Sequence, residues 1–98
     1  MYMFGLTFSF KTEELAEYFG KSHNKAYIEI SNKIKPYGFE WVHGSLYVLN
    51  TETDPLAYVC RTINKLNSID WFKKSVAVVK VFKIEDFSDM TEYIKTSH

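Results

Sequence analysis

Residues 2–10 constrain the fold most. Tyr2, Phe4, Leu6, Phe8 and Phe10 alternate with Met3, Gly5, Thr7 and Ser9. Period two over such a run is a strand with one buried face. The aromatic set needs helices to pack against. The opposite set is small and partly polar, so a ligand or another backbone can approach that face closely.

Helical patterns supply the cover. Lys11 to Phe19 reads as a short helix, with Thr12 as its cap, Glu13 and Glu14 at the positive end, and Gly20 as its stop. A second helix is expected over about Ser22 to Lys35, because Ala26, Tyr27, Ile30 and Ile34 recur at helical spacing before Pro36 and Gly38 end it. His23 falls at its start and reads as a solvated residue of the cap region. Asp54-Pro55 opens a third helix, with Leu56, Val59, Ile63 and Leu66 as its buried stripe. Cys60 lies inside that pattern and is expected to pack in the interior. As the only cysteine it excludes an intrachain disulfide and a cysteine metal cage. Ile69 to Ser75 reads as a loop carrying the only adjacent cation pair, Lys73 and Lys74.

The remaining strands come from two β-type runs. Phe39 to Asn50 is interrupted at His43-Gly44-Ser45, which is either the tight turn of a hairpin centred on His43-Gly44 or a bulge within one bent strand. Val76 to Ile84 is apolar on both faces and reads as a central strand covered on both sides, with Lys80 needing a partner or an edge. Asp89 is expected to cap a short last segment, Met90 to Lys95, where Tyr93 and Ile94 dock on the sheet or on a partner.

Strand, helices, strand pair, helix and strand make a single α+β domain over residues 1–98: a ferredoxin-like βαββαβ sandwich with an antiparallel sheet. Helices cover one face, and the apolar content of 46% leaves surface for a second copy, so a homodimer is expected. Lys plus Arg equals Asp plus Glu at 12 each, which excludes a strongly basic nucleic-acid binder. Arg61 is the only arginine, so bidentate phosphate recognition is limited. No basic segment followed by an apolar one opens the chain, and no apolar run is long enough for a membrane span. A cytoplasmic protein without membrane contact is expected.

Several segments carry a resemblance. They are Met1-Tyr2, Asn24-Lys25-Ala26-Tyr27, Tyr37-Gly38-Phe39-Glu40-Trp41, Gly44-Ser45-Leu46-Tyr47-Val48, Ile63-Asn64-Lys65-Leu66, Trp71-Phe72-Lys73-Lys74-Ser75-Val76 and Phe82-Lys83-Ile84-Glu85-Asp86-Phe87-Ser88-Asp89. In this order and spacing the chain resembles virulence-associated protein D. These are small toxin-like proteins often paired with a cognate antitoxin, and similar in fold to the CRISPR-associated spacer-acquisition nuclease. The resemblance implies a ferredoxin-like homodimer that cleaves RNA. It also marks departures. The family carries an aspartate where this chain has Thr7, and Arg-Asp where it has Ala77 and Val78. A glutamine common before the Gly-Ser pair is His43 here. Thr7 can donate a hydrogen bond but cannot ligate Mg²⁺ as a carboxylate does.

Two functions remain open from sequence. One is an endoribonuclease acting on single-stranded RNA without metal or other cofactor. In it His43 serves as base or acid, Ser45, Thr7 and Tyr47 orient the phosphate, and Lys73, Lys74 or Lys80 stabilise charge. Tyr47 and Trp41 could also stack bases, although such residues more often belong to the core. The alternative is a dimeric RNA- or protein-binding relative without turnover.

Overall fold

The computed structural model describes residues 2–85. The elements run β1 (Tyr2–Phe10), α1 (Thr12–Tyr18), α2 (His23–Ile34), a 3-10 turn (Lys35–Tyr37), β2 (Phe39–His43), β3 (Leu46–Thr51), α3 (Pro55–Asn67), α4 (Asp70–Ser75) and β4 (Val76–Lys83). Asp89 and the segment from Met90 to Lys95 lie outside the described residues.

The four strands form one open antiparallel sheet in the order β2-β3-β1-β4. The alternation in β1 is realised. Leu6, Phe8 and Phe10 are buried under the helices with Phe39, Tyr47 and Leu49 from the other strands. Leu15, Ala26, Ile30, Ile34, Leu66 and Phe72 close the core from the helical side. Phe8 is its centre, stacked on Tyr47 at 5.2 Å between ring centroids and edge-on to Phe72 at 5.1 Å. Such aromatic pairs contribute about 0.5–1.5 kcal/mol each beyond their buried area.

Of the three expected helix starts, two follow local chemistry. Ser22 Oγ accepts from Lys25 N–H at 3.3 Å, and Asp54 Oδ1 accepts from Leu56 N–H at 3.0 Å with Pro55 in the first turn. Thr12 does not cap α1. Lys11 holds that position without a side-chain bond, and its N–H instead donates to Ser75 O at 2.8 Å. That bond ties the end of β1 to the end of α4.

Four further expectations are corrected. First, Ile69 to Ser75 is not a loop, because residues 70–75 form α4, which buries Phe72 and Ser75. Asp70 and Lys74 pair across one turn at 3.1 Å, and Ser75 Oγ donates to Trp71 O at 2.6 Å. Second, α3 is rotated from the expected stripe: Pro55, Thr62 and Leu66 are buried while Leu56 is 62% exposed and Ile63 is also exposed. Thr62 tolerates burial because its hydroxyl donates to Tyr58 O at 2.8 Å. Third, the same rotation turns Cys60 outward, so it is exposed. Fourth, among the described residues β4 is an edge strand, not a central one, and Lys80 is exposed there without needing a buried partner.

Gly38 ends the 3-10 turn with φ 95, a left-handed conformation, and a Cβ built there would lie 2.8 Å from Leu49 Cδ1. A Gly38→Ala variant is expected to lose about 2 kcal/mol from the left-handed backbone and the displaced core leucine. Urea unfolding would report it as a lower midpoint with an unchanged m-value.

Candidate functional site on the open face of the sheet

The interruption at residues 43–45 resolves into two devices side by side. The loop joining β2 to β3 is Gly44-Ser45, one residue beyond the expected turn. Gly44 has φ 52, the left-handed first position that a two-residue II′ hairpin needs. Immediately before it, the pairing shifts from Trp41↔Tyr47 to His43↔Leu46, so Val42 is an extra residue. The hairpin reading therefore holds with its turn moved one residue along, and the single bent strand is corrected: the bulge lies within β2 of a two-strand hairpin. Trp41 Nε1 donates to Gly44 O at 2.7 Å and closes this bulged hairpin.

The bulge determines which way His43 faces. In an unbroken strand Phe39, Trp41 and His43 would share the helix side. Because side chains alternate, a slip of one residue moves His43 to the other face. It then lies opposite Leu46, whose partner on β1 is Thr7, whose partner on β4 is Lys80. Residues opposite each other in antiparallel strands point the same way. His43, Leu46, Thr7 and Lys80 thus make one row across all four strands, on the face away from the helices. Strand spacing of about 4.8 Å puts His43 roughly 10 Å from Thr7 and roughly 14 Å from Lys80. These groups line a path and do not form one hydrogen-bonded cluster.

Ser45 is half-buried in the turn beside His43. Val78, which stands where the resemblance places an acid, pairs with Ser9 and lies diagonal to Thr7 on the same face. Ala77 occupies the register shift at the end of β4. No carboxylate arises from positions 7, 77 and 78. Among the described residues no three His, Cys, Asp or Glu side chains converge on a possible metal position.

Tyr47 does not join this face. It is fully buried on the helix side, where its hydroxyl donates to Tyr27 O at 2.6 Å. Burial, reinforced by nearby Tyr27, holds its phenol well above the ordinary value. A side chain buried in this way does not meet a substrate. Trp41 is half-buried with its indole N–H committed to the turn, which makes it a structural residue of the hairpin. Lys73 and Lys74 belong to α4 on the helix side, and Lys74 is held by Asp70. That leaves Lys80 as the cation of the row. Sequence reading passed over Glu40 and Asn50. They line a cavity of about 200 Å³ on the open face with Met3, Val42 and Val48. Asn50 stands two residues from Val48 on β3, and Glu40 pairs with Val48 across the hairpin, which puts all three on one face.

No helix among the described residues is long and apolar enough to cross a membrane. No family model matches the chain. Relatives do. The chain is 46% identical over 94 residues to the endoribonuclease VapD of Helicobacter pylori, covering 96% of this chain and 100% of the relative. It is 43% identical to the endoribonuclease VapD of Dichelobacter nodosus, over 95% of this chain and 98% of that one. With endoribonuclease VapD 1 of Riemerella anatipestifer it shares 39% identity over 84% of this chain and 90% of the relative. Identity at this level over nearly the whole length means that the chain belongs to the VapD family.

Proposed function

We propose that this chain is an endoribonuclease that draws single-stranded RNA across the open face of a ferredoxin-like sheet. The row His43–Leu46–Thr7–Lys80 carries the reading, because it strings a titratable group, a hydroxyl and a cation along one line. The names of the relatives support RNA cleavage. The antiparallel order β2-β3-β1-β4, with β3 inserted between β1 and β2, is the ferredoxin-like arrangement.

The chemistry then runs as follows. His43 removes the proton from a ribose 2′-hydroxyl, whose oxygen attacks the adjacent phosphorus. The P–O5′ bond breaks, the leaving oxygen takes a proton from water, and His43 returns its own proton to solvent. The products are a 2′,3′-cyclic phosphate and a 5′-hydroxyl. Ser45 holds the scissile phosphate beside His43, while Thr7 and Lys80 hold the strand further along the row. Purified protein incubated with end-labelled single-stranded RNA, with and without EDTA, should yield fragments with cyclic phosphate ends. RNA that binds but stays intact in both conditions selects the alternative, a binding relative without turnover, which Thr7 and Val78 favour.

The active form is proposed to be a homodimer, cytoplasmic, and the toxin of a pair with an antitoxin protein. Val78, Val79, Val81 and Phe82 are all exposed along β4, which is an edge among the described residues, an apolar surface that association would cover. Light scattering at micromolar concentration should give about twice the chain mass of 11.5 kDa. A monomeric mass contradicts the dimer. Co-purification with the product of the neighbouring gene tests the antitoxin, and its absence from the eluate counts against that partner.

A further inference from the structure

Outside the sheet face, the lysines are unevenly placed. A groove of about 530 Å³ runs along the outer side of α2, with Lys21, Lys25, Lys33, Phe19, Asn32 and Glu29 on its walls. Lys25, Glu29, Asn32 and Lys33 share one helical face, and Lys21 comes from the α1–α2 connection. Lys25 and Lys33 are about 12 Å apart along the helix axis. None of the three lysines has a carboxylate within 4.0 Å among the ion pairs of the described residues, which are Lys74–Asp70 and Lys83–Glu85. Lys21 Nζ sits 5.6 Å from the Phe19 ring centroid, so an aromatic ring steadies this cation at the groove's end.

A second cavity of about 290 Å³ lies at the C-terminal end of α2. Ser31, next to Asn32, and Lys35, two residues beyond Lys33, line it with Glu40 and Trp41. Glu40 and Trp41 in turn line the cavity on the open face together with Val42, the residue before His43. The second and third concavities share Glu40 and Trp41 on the β2 edge strand, and the third reaches Val42, one residue short of the histidine. Four lysines stand along the way against two carboxylates, Glu29 and Glu40.

We infer that this track binds the phosphate backbone of single-stranded RNA and leads the strand from Lys21, Lys25 and Lys33 round the β2 edge to His43. The choice of RNA rests on the endoribonuclease reading. Single-stranded chain fits because the described residues span only 19 Å along the shortest axis, and a stiff duplex cannot turn from one face to the other over that distance. Lysines suit the role because they act as point charges on the backbone and read no sequence.

The test uses the full chain and a fluorescein-labelled 2′-O-methyl oligonucleotide, which lacks the attacking hydroxyl and cannot be cleaved. Fluorescence anisotropy would compare the parent with K21A/K25A/K33A, the corresponding triple arginine variant, and a K11A/K83A control. The alanine triple should bind on the order of tenfold more weakly at low salt, and its slope of log K against log salt should fall by about 2. The arginine triple and the control should match the parent, with unchanged circular dichroism throughout. An alanine triple with parental affinity and salt slope overturns the track, as does a parent that binds no oligonucleotide at low salt. Loss of poly-glutamate binding in the alanine triple with RNA affinity intact reassigns the groove to an acidic protein and also overturns it. Groove-dependent binding without cleavage of unmodified RNA sinks the nuclease reading and leaves the track standing.

Discussion

Replacing Tyr47 with alanine is expected to destabilise the domain by about 3–5 kcal/mol, the range for removing a large aromatic from a packed core. The residue is fully buried and stacked on Phe8, and its hydroxyl is bonded to the Tyr27 carbonyl. A Tyr47→Phe variant keeps the ring and loses only that bond, at about 1 kcal/mol. The pair separates packing from chemistry. Tyr47→Phe should cleave RNA as the parent does, because the hydroxyl lies on the helix side. A large loss of cleavage in a folded Tyr47→Phe protein would return the hydroxyl to the site. Alkaline stability gives an independent check. The folded-state pKa of Tyr47 lies above its ordinary value of 10.0 through burial. Its contribution is therefore fully present below pH 10.0. Above that, the unfolded chain loses a proton that the folded chain retains, and stability falls by about 1.4 kcal/mol per pH unit until the folded phenol titrates. Tyr47→Phe should flatten that decline in urea titrations.

The second large effect is on turnover. His43→Ala should lower the cleavage rate by about 10²–10⁴, the usual contribution of one proton-transfer group. Stability should barely change, since His43 is exposed at the end of an edge strand. Loss of activity without loss of fold is the signature that distinguishes it from Tyr47→Ala.

The contrast between these residues shows what could be read from sequence. Alternation in β1 and the Asp54-Pro55 cap of α3 are local signals, and both are realised. The outward turn of His43 is not local. It follows from an extra residue at Val42, and a bulge exists only relative to a partner strand. Reading β2 alone assigns His43 to the helix side with Phe39. The same limit applies to β4, since an apolar edge and a buried centre look identical until strand order is known. Burial of Thr62 is a tertiary choice too, permitted by its bond to the Tyr58 carbonyl. A short helix such as α4, with Lys73-Lys74 on its outer side, carries too few buried positions to show a period. Of the site, His43, Ser45 and Thr7 were legible as residue types, whereas their common face was not.

The most direct test of the central claim is a time course of end-labelled single-stranded RNA with the parent and His43→Ala side by side, each with and without EDTA. The account predicts fragments with cyclic phosphate ends from the parent in both conditions, and at least a hundredfold slower cleavage by the variant. Parental cleavage by His43→Ala, or intact RNA from the parent in every condition, would contradict it.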